Sequence, residues 1–394
     1  MPGSIQWEDL SFPTKRPGRI YPGLNYEVMK NANKNYYAVI MAGGIGSRFW
    51  PVSRTNHPKQ FQDIMGVGET LLQLTFNRLS SIVIRENILI LTNDAYRDIV
   101  NEQIPNLKED QIILEPEMKN TAPCILMAAL KIQKKNPYAV MLVAPSDHWI
   151  IEKENFKDDV NKAFAAAARE DILITLGIKP TSPNTGYGYI KFAEEDLLKN
   201  ESDIYKVQKF AEKPTLRNAR KYLEEGNYLW NAGIFIWKAS VIAEAFEKYS
   251  NDLYELFSQG MNYFNEKGED DFIKNTYPQA RNVSVDYAIL ESSENVYVIS
   301  AGFDWDDLGA WGAIYGKLAR DDHKNAVVNA RLQPNDSSAN MVYTHDNKVV
   351  VLAGLENYII VDSEDVLLIV PKEREQEIKE LRARAIKNFG SNLG

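Results

Sequence analysis

A glycine-rich segment that follows the first long apolar run of the chain has the residues to bind phosphate. Residues 36–41 are Tyr-Tyr-Ala-Val-Ile-Met, and residues 42–48 are Ala-Gly-Gly-Ile-Gly-Ser-Arg. Glycines let a backbone turn sharply and approach an oxyanion closely, and the N–H groups of such a loop form an anion-binding nest. Arg48 and Lys59 add cations for phosphate oxygens. The segment is neither a Walker loop nor a dinucleotide fingerprint, so on its own a tight structural turn is an equal interpretation.

Two acidic segments could hold a metal ion. Asp147 follows the apolar run 139–143, and residues 304–307 are Asp-Trp-Asp-Asp. Hard divalent cations prefer carboxylate oxygens, so an aspartate beside a phosphate loop is well placed to bind one, although Asp147 could instead cap the next turn. Three carboxylates within four positions, framed by two tryptophans, are unusual for a plain loop.

The order of strands and helices predicts how these residues are brought together. Apolar runs typical of buried strands alternate with amphipathic helical patterns. The runs are 36–41, 88–92, 111–114, 139–143, 172–176 and 235–237, and the helical patterns are 71–79, 95–104, 122–134 and 156–169. This order predicts an α/β fold with a Rossmann-like, mostly parallel mixed sheet flanked by helices. Ligands bind beyond the carboxyl ends of such strands, where the glycine loop and Asp147 lie.

The last part of the chain has a different pattern. Short strands predicted at 349–352, 358–361 and 366–370 precede a charged helix at about 373–387. We therefore expect three parts. They are an N-terminal extension without chemistry (1–35), a catalytic domain (36–325) and a small β-rich C-terminal domain with a terminal helix (326–394).

Composition excludes several classes of protein. The net charge of -9 argues against a nucleic-acid partner. No apolar run is long enough to span a membrane. Cys124 is the single cysteine and there are four histidines, which argues against a disulfide and against a cysteine- or histidine-based metal centre. A reducing, cytoplasmic location is expected.

The glycine loop is the first of seven motifs that resemble one family. Residues 42–51 and 58–61 (Pro-Lys-Gln-Phe) resemble the signature of the sugar-1-phosphate nucleotidyltransferases, in particular the mannose-1-phosphate guanylyltransferases. Six further segments follow in the family's order: 114–123, 144–148, 184–190, 210–214, 230–235 and 304–311. A helix of the family also resembles residues 284–291. The resemblance covers roughly residues 36–320 and extends more weakly into the C-terminal strands.

The resemblance implies a role for each matching residue. The nucleotide would contact Ala42, Gly43, Gly44, Gly46, Ser47, Arg48, Asn120, Thr121, Pro145 and Ser146. The sugar would contact Gly186, Tyr187, Gly188, Glu212, Lys213 and Asn231. Catalysis would depend on Arg48, Lys59, Asp147, Lys213 and Asp307, with Mg²⁺ held by Asp147 and Asp307.

The residues alone leave alternatives at several of these positions. Asn120 or Thr121 could cap a helix, and the 186–188 stretch could be a β-turn with a packed tyrosine. Consecutive side chains in a strand point to opposite sides, so Glu212 and Lys213 could be two separate solvated charges. Asn231 before a glycine-containing stretch could belong to a plain turn.

Two other polar residues are expected to support the site. Asp286 is expected to act as a helix cap or to hold another side chain, and His148 to be structural. The family form of the last motif is Gly-Trp-x-Asp-Val-Gly-x-Trp, which places the metal aspartate at Asp307. Here Asp304 replaces the glycine and Asp306 is additional, so either could share the metal.

The implied reaction converts GTP and mannose 1-phosphate into GDP-mannose and pyrophosphate. One alternative is the same chemistry with another base or sugar, such as a glucose-1-phosphate thymidylyltransferase. Another is a regulatory homologue that binds a sugar nucleotide without catalysis. A fused isomerase is not expected, because the sequence stops at Gly394 and has only His323 and His345 beyond residue 300. Neither a membrane nor a nucleic acid is expected as a partner, and a homo-oligomer is left open.

Overall fold

The apolar runs form strands of a nine-stranded sheet in the computed structural model, which describes residues 33–394. The predicted extension therefore lies, except for residues 33–35, outside the described residues. The strands of this sheet are β1 (Tyr36–Ala42), β2 (Ile88–Asn93), β3 (Ile112–Glu115), β4 (Val140–Pro145), β5 (Leu173–Ile178), β6 (Tyr189–Leu197), β7 (Ile204–Ala211), β8 (Tyr228–Lys238) and β9 (Val296–Ser300). Their spatial order is β3-β2-β1-β4-β8-β5-β9-β7-β6.

The sheet has a parallel half and a largely antiparallel half. Strands β3, β2, β1 and β4 pair in parallel, and β8 then runs antiparallel between β4 and β5. The mixed α/β sheet is confirmed. Strands β6, β7 and β9 were not predicted. In β6, residues 191–196 (Lys-Phe-Ala-Glu-Glu-Asp) carry charges where a buried strand would be apolar, whereas β9 is an uncharged run that was missed.

Ten α-helices flank the sheet or follow it in the described part of the chain. They are α1 (Leu71–Ser80), α2 (Arg97–Gln103), α3 (Thr121–Lys135), α4 (Lys153–Arg169), α5 (Leu216–Glu225), α6 (Ala239–Tyr249), α7 (Asn251–Ser258), α8 (Glu269–Thr276), α9 (Trp311–Lys317) and α10 (Ile378–Phe389). The start of α1 follows local sequence, because Thr70 and Gln73 form a capping box there. No described helix is long and apolar enough to cross a membrane.

The C-terminal strands form a second sheet with the geometry of a β-helix. Its strands are β10 (Ala326–Asn335), β11 (Met341–Ala353), β12 (Tyr358–Asp362) and β13 (Leu367–Pro371). The first three pair in parallel although short connections join them. Ala326 pairs with Met341 (341 − 326 = 15) and Met341 with Ile359 (359 − 341 = 18), so each coil takes 15 to 18 residues. Buried asparagines join successive coils, since Asn340 Nδ2 donates to Asn325 Oδ1 at 3.1 Å.

One hydrophobic core joins the C-terminal sheet to α9 and to the segment that follows the glycine loop, and residues 33–394 form one compact unit. Trp311 of α9 is a fully buried residue of this core. The Trp311 ring contacts Phe49 beside the glycine loop and Tyr343 of β11, each with a centroid separation of 5.4 Å. The segment after the glycine loop is therefore packed directly against the C-terminal sheet.

The asparagine contacts predict a large stability cost for one substitution. Asn340 is fully buried. Its amide also donates to Leu355 O and accepts from Tyr358 N, both at 2.9 Å. Because Asn340→Ala leaves these backbone groups without partners, the free energy of unfolding should fall by about 3 kcal/mol. Urea unfolding measures this, with the exposed Asn347 as control: Asn347→Ala should change it by no more than about 0.5 kcal/mol. Equal effects of the two substitutions would show that the buried side chain of Asn340 does not stabilise the coils.

Candidate active site

The predicted site residues gather at one edge of the large sheet. Strands β1 and β4 end side by side there, joined by the Ser146 N–H to Met41 O bond of 3.0 Å. Because β8 is antiparallel to β4, its first half reaches the same edge. Asn231 N donates to Gly188 O at 2.8 Å, which attaches the turn before β6 to this edge.

The glycine loop has its shape fixed by the segment that carries Lys59. Gln60 is buried, and its side-chain amide donates to Ala42 O at 3.1 Å and Gly44 O at 3.2 Å. Gly46 has φ 63°, and a Cβ there would lie 2.6 Å from Lys59 Cβ, so only glycine fits. Gly43 and Gly44 are exposed. The loop therefore presents backbone to solvent while Gln60 fixes it from behind.

Lys59 lies between the two segments predicted to hold a metal. Its side chain is buried, and Nζ donates to Asp147 Oδ2 at 2.9 Å and to Asp307 O at 2.8 Å. Burial alone would raise the pKa of the Asp147 carboxyl, but nearby groups, with Lys59 foremost among them, lower it. Burial raises the pKa of Asp307 despite a hydrogen bond from Tyr187. One cation therefore links Asp147 to the Asp307 backbone.

The other two carboxylates of the 304–307 cluster have different partners. Asp304 Oδ1 accepts the N–H groups of Ile151 and Glu152, both at 2.8 Å, just before α4. Asp306 Oδ1 accepts from Leu308 N at 2.8 Å, and its Oδ2 lies 3.5 Å from Lys317 Nζ. Asp304 and Asp306 thus shape the loop.

The aromatic residues of the site support the two aspartate loops. The Tyr187 hydroxyl donates to Asp307 Oδ1 at 2.9 Å, and its contact with a sugar stays a prediction. The Trp305 indole N–H donates to His148 Nδ1 at 3.1 Å. Burial lowers the pKa of His148 to about 4, so this ring is neutral near pH 7. The expected structural role of His148 agrees with this contact.

Glu212 and Lys213 form an ion pair, so the alternative of two separate solvated charges is wrong. Strand β7 ends at Ala211, and Lys213 has φ 40°, outside strand geometry. Lys213 Nζ lies 2.8 Å from Glu212 Oε1. A Cβ placed on Gly188 would lie 2.5 Å from Glu212 Oε2, so the Glu212 carboxylate lies directly against Gly188.

Asn231 is held in place by Asp286. Asn231 Nδ2 donates to Asp286 Oδ1 at 2.7 Å, and Asn231 Oδ1 accepts from Gly233 N at 3.0 Å. Asp286 begins a five-residue π-helix, Asp286–Leu290, a geometry frequent at functional sites. The expected supporting role of Asp286 agrees with this contact.

Asn120 and Thr121 use their side chains to form the start of α3. Asn120 Oδ1 accepts from Thr121 N at 2.9 Å, and Thr121 Oγ1 accepts from Val285 N at 2.9 Å. The latter bond places the start of α3 next to Asp286. Their contact with a nucleotide stays a prediction.

Two residues at the site were not singled out from the sequence. Gln60 belongs to the Pro-Lys-Gln-Phe motif, which was the available signal. Gln376 accepts from Arg48 Nε at 3.1 Å, and no signal could reveal a contact between residues 328 positions apart.

Comparisons with known proteins agree with this arrangement. A family model described as nucleotidyl transferase matches residues 37–324, and one described as a MannoseP isomerase/GMP-like beta-helix domain matches residues 335–384. The mannose-1-phosphate guanylyltransferase of Klebsiella pneumoniae is 36% identical over 346 residues, covering 86% of this chain and 72% of that protein. The xanthan biosynthesis protein XanB of Xanthomonas campestris pv. campestris is 33% identical over 357 residues, covering 89% and 73%.

A solved structure shares the whole architecture. The crystal structure described as a mannose-1-phosphate geranyltransferase from Thermus thermophilus superimposes with a TM-score of 0.79 at 30% identity. The match covers 89% of this chain and 99% of that one.

The raised pKa of Asp286 predicts that the stability of the protein depends on pH. Burial and the nearby Glu212 carboxylate raise the pKa of Asp286 to about 6, above its unfolded value of about 3.9. The resulting stabilisation is full below about pH 4 and is lost as the pH rises through 6. Asp286→Asn should therefore become more stable, relative to the unsubstituted chain, by about 1 kcal/mol between pH 5 and 7.5.

Urea unfolding at the two pH values measures this difference. The matched control is Asp346→Asn, because Asp346 is exposed. A pH response of Asp286→Asn no different from that of the control would show that Asp286 does not titrate in this window.

Proposed function

Since the chain belongs to the nucleotidyl transferase family, we propose that it joins GTP to mannose 1-phosphate, forming GDP-mannose and pyrophosphate. The family predicted from the motifs is confirmed, and the chain is a nucleotidyltransferase enzyme. The choice of base and sugar is supported by the relatives named mannose-1-phosphate guanylyltransferase. One observation carries the proposal: buried Lys59 links Asp147 to Asp307 beside the glycine loop.

The proposed reaction is an in-line displacement. An oxygen of the sugar phosphate attacks the α-phosphorus of the triphosphate, and the bond to the bridging oxygen of pyrophosphate breaks. Two anions must approach each other, so alignment and charge neutralisation are the enzyme's main contributions. No side-chain nucleophile is needed.

The positions of the glycine loop and of three cationic side chains suggest which phosphate each would bind. The exposed backbone of Gly43 and Gly44 would bind the triphosphate, with Arg48 neutralising the pyrophosphate that leaves. Lys59 and Lys213 would restrain the sugar phosphate. Arg48 Nε donates its hydrogen bond to Gln376. The two terminal nitrogens of the Arg48 guanidinium would therefore contact phosphate oxygens.

The sugar would bind where β6 and β8 meet. Gly188, Glu212 and Asn231 lie together there. Asp286 fixes the Asn231 amide and leaves Glu212 to accept sugar hydroxyls. Since sites that bind hydroxyls with fixed polar groups discriminate strongly between substrates, these residues are proposed to select the sugar.

Nucleotidyltransferases generally use a divalent metal ion, and we propose Mg²⁺ here. Within residues 33–394 there is no group of three or more His, Cys, Asp or Glu side chains that could hold a metal. Asp147 and Asp307 nevertheless fit Mg²⁺, which one or two carboxylates plus substrate phosphates usually hold. The two carboxylates are close enough for Asp147 to raise the pKa of Asp307. When bound, the ion would neutralise phosphate oxygens.

Replacing either proposed metal ligand should abolish most activity. Asp147→Asn and Asp307→Asn should each lower kcat/KM for GDP-mannose formation by about 100-fold or more. Asp304→Asn is the matched control, because Asp304 binds backbone N–H groups before α4. It should stay within a few-fold of the unsubstituted enzyme and lose only about 1 kcal/mol of stability. A pyrophosphate-release assay decides, and the assignment fails if Asp304→Asn is the variant that loses activity.

The substrates are tested with a panel of nucleotides and sugar phosphates. GTP with mannose 1-phosphate should give the highest kcat/KM. Preference for dTTP and glucose 1-phosphate would identify a thymidylyltransferase instead. Binding of GDP-mannose without turnover of any pair would identify a regulatory homologue.

A further inference from the structure

Four aromatic rings form a continuous row between the proposed sugar and metal sites. The row is His148, Trp305, Tyr187 and Trp230. Neighbouring ring centroids lie 5.3, 5.2 and 5.0 Å apart, and every pair packs edge to face. This geometry is the preferred one for aromatic pairs.

The row connects four of the segments that form the site. His148 follows Asp147, Trp305 precedes Asp307 by two positions, and Trp230 precedes Asn231 in β8. Tyr187 lies in the middle, packed against both tryptophans. Its ring is therefore held from two sides, which fixes where its hydroxyl points.

From this geometry we infer that Tyr187 is a positioning residue for the metal site, whose hydroxyl orients the Asp307 carboxylate through their hydrogen bond. The inference deepens the proposed function and rests on it. It also differs from the sugar contact that the motif resemblance implied for Tyr187.

The contacts of Asp307 show why its carboxylate needs a donor. Lys59 donates to the backbone oxygen of Asp307, so it does not orient the side chain. The Tyr187 hydroxyl is the side-chain donor to the carboxylate, at Oδ1. That bond fixes the rotamer and leaves Oδ2 to turn toward an ion shared with Asp147. Partners that hold a metal ligand in this way commonly change metal affinity by about 10- to 100-fold when removed.

The same hydroxyl could instead serve the sugar, and the two roles predict different losses. If the hydroxyl contacts the sugar, its removal should raise the KM for mannose 1-phosphate at any metal concentration. If it positions Asp307, its removal should weaken metal binding whether or not sugar is present. Measurement of metal affinity without turnover therefore separates the two roles.

The test compares Tyr187→Phe with Tyr189→Phe in the full chain. Both keep their rings and lose one hydroxyl that donates a 2.9 Å hydrogen bond, to Asp307 in the first case and to Asn184 O in the second. Electron paramagnetic resonance of Mn²⁺ titrated into each protein gives the metal affinity directly. Tyr187→Phe should weaken Mn²⁺ binding by about 10-fold, and Tyr189→Phe should leave it unchanged.

A second readout guards against a folding defect. The half-saturating Mg²⁺ concentration in turnover should rise for Tyr187→Phe while its KM for mannose 1-phosphate, at saturating Mg²⁺, and its Tm stay near those of Tyr189→Phe. Three outcomes would overturn the inference. These are equal Mn²⁺ affinities for the two variants, a rise confined to the KM for mannose 1-phosphate, and absence of Mn²⁺ binding by the unsubstituted chain. Failure of the proposed function would appear separately, as absence of GDP-mannose formation with the Mn²⁺ difference intact.

Discussion

The buried ammonium of Lys59 is the contact on which the site depends. A buried cation is costly unless it is paired and hydrogen-bonded, and Lys59 meets this requirement with the Asp147 carboxylate and the Asp307 carbonyl. These partners lie 88 and 248 residues away in sequence. One side chain therefore joins the segment behind the glycine loop to the loops that follow β4 and β9.

The reversed direction of β8 brings the sugar-side residues to the same place. In an all-parallel sheet, only the ends of strands would reach the ligand edge. Because β8 is antiparallel to β4, with Val143 opposite Phe235, its earlier residue Asn231 extends past the end of β4. Asp286 and Glu212 then meet around that asparagine. The phosphate and sugar halves of the site thus share one edge although they come from strands of opposite direction.

The parallel half of the fold could be predicted from sequence because buried parallel strands are continuous apolar runs. The runs at 36–41, 88–92 and 139–143 fall within β1, β2 and β4 or begin one residue before them. Strands β6 and β7 form an antiparallel pair whose residues face solvent in part. They were not predicted because their charged positions interrupt the apolar pattern of a buried strand. The β-helix was anticipated only as short strands, since its coils are defined by pairing between successive turns of the chain.

Within the site, the sequence indicated which residues belong to it better than it indicated which residues they contact. The motifs identified Lys59, Asp147 and Asp307, but strand alternation failed for Glu212 and Lys213 because the strand ends just before them. The partners of Asp304 depend on where the start of α4 meets the 304–307 segment, which no local pattern encodes.

The C-terminal β-helix helps to hold the glycine loop in place. A glycine-rich loop loses much conformational entropy when it is ordered, so something outside the loop must hold it. Gln60 does so from one side. On the other, Phe49 is packed on Trp311 in the core that the C-terminal sheet completes, and Arg48 binds Gln376 just before α10. The β-helix therefore stabilises the loop on which phosphate binding is proposed to depend.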